Sequence, residues 1–287
     1  SLHDALPIWG RYRIGLAGKV SVPCPASSVT TPANSRHRES GSGPTNVSNG
    51  DLFEFVARHE NEWPLARTQW TDFHLHPDTM TLSPQPYAGA STQLTYEAMG
   101  QGLTFMSAPM TEPTEITGPS AIRLQVSSST EDADLFVVLR VFDPAGTEVV
   151  FQGALDPHNP ISLGWLRASH RKLDPAKSLP YRPYHSHDEK QPLHPGEVVQ
   201  LDVEIWPTCI VVPVGYRIAV SLRGRDYEWD GPAASLSNMK NPMKGCGPFV
   251  HDDDQDRPPE IFHNQVSIHF GGEHTNRLLL PVIPTQP

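Results

Sequence analysis

Along most of this chain apolar and polar residues alternate with a period of two. AIRLQV puts Ile122, Leu124 and Val126 on one face and Arg123 and Gln125 on the other. VVQLDVEIW repeats the pattern with Val199, Leu201, Val203 and Ile205 against Gln200, Asp202 and Glu204. YRIAVSLRG does so with Ile218, Val220 and Leu222, and QVSIHF with Val266, Ile268 and Phe270. Such alternation predicts strands with one buried face. DLFVVLRVF, residues 134–142, is apolar on both faces apart from Arg140, which predicts a central strand. Turn signals separate the runs: DPAG at 143–146, HPGE at 194–197 and FGGE at 270–273. Many antiparallel strands with no helical run between them predict an all-β jelly-roll sandwich.

Two stretches depart from this pattern. The connection from Asp156 to Pro195 holds a possible strand only at GWLRASHRK. At about forty residues it is too long for a passive turn and points to a functional or interface segment. The other is the N-terminus. RHRESGSGPTNVSNG, residues 36–50, has Val47 as its one aliphatic residue and follows neither period. Residues 1–51 are therefore expected to be an unstructured or artefactual segment, and 52–287 the β-sandwich domain. The opening SLHDALPIW has neither the basic start nor the apolar run of a signal peptide. SLHDALPI resembles the in-frame translation of a sequencing adapter, so the chain is expected to be the tail of something longer.

Composition narrows the class. Apolar residues make up 37% of the 287 and charged residues 19%, and no apolar run is long enough to span a bilayer. The 30 prolines, about twice ordinary usage, argue against long helices. A formal charge of -10 leaves no basic stripe for phosphates, so neither nucleic acid nor an anionic membrane surface is an expected partner. The three cysteines, Cys24, Cys209 and Cys246, lack C-x-x-C spacing and make no disulfide framework or zinc ribbon. Cys209, among Ile and Val, reads as a buried inert thiol. A cytoplasmic setting is the default, with any export signal lying upstream.

Longer motifs carry a resemblance. ARHENEWPLARTQWTDFHL, LTFMSAPMTEPTEITGPSAIRLQVSSSTEDADLFVVLRVFDPAG, PGEVVQLDVEIWPT and IHFGGEHTNRLLLPVIP together resemble the C-terminal region of the cocaine-esterase-like (CocE/NonD) serine hydrolases. That family takes in X-Pro dipeptidyl-peptidases, cephalosporin and glutaryl acylases and α-amino-acid ester hydrolases. The resemblance runs from about Phe53 to the C-terminus and implies a galactose-binding-like jelly roll. It also implies an upstream α/β-hydrolase domain, the missing partner, that carries the Ser, Asp and His of the triad. On that basis this chain holds no catalytic residue and no cofactor. The G-x-S-x-G of a nucleophile elbow is indeed not found; GSG at 41–43 lacks the spacing. The function implied is a non-catalytic C-terminal domain of a serine esterase or dipeptidyl-peptidase. The alternative is a free-standing carbohydrate- or protein-binding module.

Three polar clusters invite other chemistry. YHSHDE, residues 184–189, offers His185 and His187 but no third ligand, so a hydrogen-bonded loop is favoured over a metal site. FHLHPD, residues 73–78, reads as a strand with His74 and His76 on its solvated face. HDDDQD, residues 251–256, lacks the glycine and distal glutamate of a calcium loop and reads as a solvated acidic loop. Trp165, Tyr181, Tyr184, Tyr227 and Trp229 read as exposed rings that could stack on sugars. Trp165, Tyr181, Tyr184, His185 and His187 are expected to form the docking face toward the hydrolase domain.

Overall fold

The computed structural model describes residues 14–15, 19–25, 55–153, 155–235, 240–248 and 250–284. Its strands are β1 (Ile14–Gly15), β2 (Lys19–Pro25), β3 (Phe55–Glu60), β4 (Gln69–His76) and β5 (Thr81–Ser83). Then come β6 (Thr92–Glu97), β7 (Leu103–Ser107), β8 (Thr114–Ser128), β9 (Asp134–Phe142) and β10 (Glu148–Val149). The last are β11 (Ser162–Arg167), β12 (Val199–Val212), β13 (Arg217–Arg223), β14 (Gln265–Phe270) and β15 (Arg277–Ile283). Helix is confined, among the described residues, to α1 (Pro259–Phe262) and a 3-10 turn at Ala168–His170. The fold is all-β, as the alternation predicts. The expected unstructured N-terminal segment falls for the most part outside the described residues; within it β1 and β2 are described, pairing in the order β1–β2–β3.

The main sheet can be followed as one path: β12–β8–β15–β4–β5–β7–β13–β9–β11. All neighbours on it are antiparallel except β5 with β7. The sheet folds over on itself, and the inward rows of its two layers fill one core. Leu124, Val126, Leu201, Val203, Val220, Leu222, Ile268 and Phe270, all named by alternation, are at most 1% exposed. β9 is flanked by β13 on one side and by β10 and β11 on the other, so it is a central strand as expected. The ends of the path meet where β11 crosses β12. There a Cβ on Gly164 would fall 2.2 Å from the Glu204 carbonyl oxygen, and the Ser162 hydroxyl donates to the Trp206 carbonyl at 2.6 Å.

The long strand β8 bends at Gly118, whose φ of 145° suits glycine. Both of its neighbours lose register at that level, β12 between Ile205 and Thr208 and β15 between Leu279 and Val282. Pro119, Pro207 and Pro281 lie there on three adjacent strands. Proline cannot donate to a ladder, so it belongs where the ladder is already broken. The turn signals hold as well. At 143–146 the Asp143 carboxylate accepts from the Ala145 and Thr147 amides, and Gly146 takes φ 85° to close the β9–β10 hairpin.

Loops cover the outer faces of both layers. Over β9 and β13 lies the segment after β13, with Tyr227 2% exposed above Arg140 and the Arg140–Glu148 ion pair. This corrects the expectation of an exposed Tyr227: the ring closes a polar layer and does not face solvent. Trp229 is half-buried, stacked on His158 at 3.9 Å. Asp156, fully buried, ties the segment down. Its carboxylate accepts from the amides of His158 at 2.8 Å, Gly245 at 2.6 Å and Gly247 at 3.0 Å. Cys209 is half-buried, not buried, and accepts from the Thr117 hydroxyl at 3.3 Å.

Candidate functional site

The connection from Asp156 to Pro195 turns out to be ordered. Its first part is β11, and its second is a hairpin in which Leu173 pairs with His185. The Asp174 amide donates to the Tyr184 carbonyl at 2.8 Å, and the Ser186 amide to the Lys172 carbonyl at 3.0 Å. Leu179 pairs with Arg182 near the tip. The hairpin lies over the outer face of the layer containing β4 and β12. Its tip residue Tyr181 stacks on Trp70 of β4 with ring centroids 4.3 Å apart and planes 7° from parallel. This stack offsets a small part of the entropy of holding so long an excursion in place.

The five docking candidates make different contacts. Tyr181 is engaged by Trp70, and Tyr184 lies beneath the Lys177 ammonium, 4.8 Å from its ring centroid. Trp165, on β11, meets Trp206 edge-to-face at 4.7 Å, at the β12 bulge. His185 and His187 sit at the hairpin base, with His187 in the left-handed region at φ 52°. Trp70 and Trp206, each 37% exposed, and Leu179 at 40% are the apolar groups this face still shows to solvent. Trp70 and Trp206 escaped the sequence reading. Trp70 does share the outward register of Asp72, His74 and His76, which is the signal that could have found it.

His170 joins the histidine pair. Its Nδ1 is 3.1 Å from Nδ1 of His187, and the His185 and His187 rings are 6.1 Å apart. Among the described residues no group of three or more His, Cys, Asp or Glu is placed to hold a metal. Burial, and then the His187 ring, push the His185 pKa down to about 4 from the usual 6.5. The folded state therefore holds this imidazole neutral, and the unfolded chain binds the proton more tightly. Its contribution is complete above pH 6.5 and is lost as the pH falls toward 4. His185→Gln should flatten the fall in melting temperature between pH 7 and pH 5 by several degrees; an unchanged slope would exclude this role.

The remaining clusters make local contacts. HDDDQD is exposed, yet its flanks are anchored: His251 pairs with Asp226 at 2.9 Å, and Asp256 with Arg167 at 3.1 Å. Arg167 and the buried Arg257 converge on Asp134, each at 2.8 Å. His76 bonds to the Gln85 carbonyl at 2.8 Å, and His74 is half-buried with its pKa lowered, chiefly by burial. One serine–histidine contact has hydrolase-like geometry, Ser127 Oγ to His269 Nε2 at 2.8 Å. Ser127 is 6% exposed, and no carboxylate bonds the far nitrogen of His269 among the described residues. Among the described residues the pair stands without the third member of a triad.

Known proteins share this fold. The family profile described as the X-Pro dipeptidyl-peptidase C-terminal non-catalytic domain matches residues 30–279, beginning upstream of Phe53. Two proteins provisionally named as serine esterases, from Mycobacterium bovis and Mycobacterium tuberculosis, are each 35% identical over 186 residues. The aligned region is 63% of this chain and 24% of each relative, so the chain spans about a quarter of their length. Among solved structures, a CocE/NonD family hydrolase from Staphylococcus aureus superposes with a TM-score of 0.68 at 22% identity. The match covers 80% of this chain and 39% of that one. An aminopeptidase from a Thaumarchaeota archaeon gives 0.54 at 17% identity, again over 80% and 39%.

Proposed function

Because the chain belongs to the X-Pro dipeptidyl-peptidase C-terminal non-catalytic domain family, we propose that it serves a serine esterase or dipeptidyl-peptidase as its accessory β-sandwich. The catalytic serine, aspartate and histidine would lie in an α/β-hydrolase domain that precedes it. In the whole protein that domain would form and hydrolyse an acyl-enzyme on an ester or amide. The observation that carries this reading is the match of residues 30–279 to the profile of a C-terminal non-catalytic domain, on a fold shared with a CocE/NonD family hydrolase. The hairpin face, with Trp165, Tyr181, Tyr184, His185 and His187 and the exposed Trp70, Trp206 and Leu179, would meet the hydrolase domain. A cytoplasmic setting belongs to the same proposal; among the described residues no helix is long and apolar enough to cross a membrane.

The competing reading is a free-standing module that binds sugars or proteins. Its best support is the exposure of Trp70 and Trp206. Against it, Tyr181 already occupies one face of Trp70, and Tyr227 is buried. The purified chain should release no p-nitrophenol from p-nitrophenyl acetate above the buffer rate. Turnover abolished by a serine-directed inhibitor would refute the non-catalytic reading. Stabilisation of the same preparation by an oligosaccharide would transfer the case to the binding module.

A further inference from the structure

We propose that Arg223 and Arg225 form a binding site for a small oxyanion, a carboxylate or phosphate group, beneath the turn at residues 98–102. Arg223 ends β13 and points away from the core, since Ile218, Val220 and Leu222 take the inward positions. It is 5% exposed. Its Nη2 donates to the Gln101 side-chain oxygen at 2.9 Å, and its Nε is buried with no partner. Arg225 lies beside it, donating from Nε to the Gly100 carbonyl at 3.2 Å. The turn is clamped in place. A Cβ on Gly102 would fall 2.0 Å from the Leu222 carbonyl oxygen, and the Gly224 amide donates to the Ala98 carbonyl at 3.0 Å.

The charges on this face do not balance locally. Glu148 is taken by Arg140, which it binds through both oxygens at 2.8 and 2.6 Å. Glu228 is taken by Arg225 at 3.0 Å, and Asp230 is exposed and acts only through space. Among the described residues no carboxylate lies within ion-pair distance of Arg223. A buried lysine in such a position would shed its proton, but a guanidinium does not. Burial, with Arg225 and Arg140 nearby, lowers the Arg223 pKa and so disfavours the charged form that it must keep. An oxyanion that displaces the exposed Gln101 side chain from the Nη2 and Nε edge would supply the missing charge, and the fork geometry suits two parallel hydrogen bonds. Arg225 has a quarter of its side chain in solvent and Gln101 is exposed, which gives the site an opening.

The test is a thermal titration of the 287-residue chain with sodium acetate and with inorganic phosphate, against sodium chloride at matched ionic strength. A saturable rise of several degrees is expected from at least one oxyanion and not from chloride, and the two probes separate a carboxylate from a phosphate ligand. Arg223→Met should abolish that rise and, in anion-free buffer, melt no lower than wild type, because it removes an uncompensated buried charge. Equal responses to all three salts, or a full response in Arg223→Met, would overturn the site. Should Arg223→Met not fold, Arg225→Gln takes its place: a weakened response supports the site and an unchanged one overturns it.

Discussion

Asp156→Ala should destabilise the domain by about 3–5 kcal/mol, the largest loss expected from any single polar side chain here. The carboxylate is fully buried and accepts from the His158, Gly245 and Gly247 amides, which no other group replaces. Each buried amide left without an acceptor costs about 1–3 kcal/mol, and partial entry of water trims the sum. Gly245 packs so tightly on the Tyr227 ring that a Cβ would lie 2.3 Å from it, so the damage should spread to the layer over β9 and β13. Urea unfolding would show a lower midpoint at unchanged slope. Asp156→Asn, which keeps one acceptor and the shape, should fall between the two. A loss under about 1 kcal/mol for the alanine variant would mean that the loop is held by something else.

Gly164→Ala should cost about 2–3 kcal/mol, although alanine is the smallest possible addition. The obstacle is the backbone of Glu204, which cannot rotate out of the way as a side chain would. β11 would have to lift off β12, breaking the Ser162–Trp206 hydrogen bond and spreading the Trp165–Trp206 contact. Gly196→Ala is the control. It strains a turn at φ 82° but meets nothing within 4 Å, and it should cost about 1 kcal/mol. Equal melting temperatures for the two variants would show that β11 and β12 are not in close contact in solution.

How much of this was visible in the sequence follows from the range of each interaction. Alternation named the buried rows of β8, β12, β13 and β14 because side-chain direction in a strand is set by the residue's own position. The turns were visible for the same reason, since Asp143 bonds amides two and four residues ahead. The meeting of β11 with β12 was not. It depends on Gly164 facing Glu204 across the fold, and a lone glycine in a strand has many other uses. Tyr181 on Trp70 and Asp156 on Gly245 are likewise contacts between segments far apart in the chain. An aromatic residue in an irregular loop gives no periodic signal, so Tyr227 beneath its loop and Tyr181 on its hairpin read alike. The three prolines at the bend of β8 were in plain view, but their common level emerges only once the strands are paired.

The meeting of β11 and β12 also bears on how copies of this chain avoid one another. A strand with an unpaired edge is a template for a strand from another molecule. VQLDVEI in β12 is long, rich in β-branched residues and apolar on one face, the kind of sequence that seeds such pairing. With β8 hydrogen-bonded along one side and β11 packed against the other at Glu204 and Trp206, its second edge is covered at that level. β6, which pairs only with β14 among the described residues, keeps an open edge. There Thr92, Gln93, Thr95 and Glu97 face solvent, and the charge and polarity discourage a partner. The chain thus hides its adhesive strand and exposes a poor one. Any change that lifts β11 would be felt first as precipitation at high concentration, before the fold itself is lost.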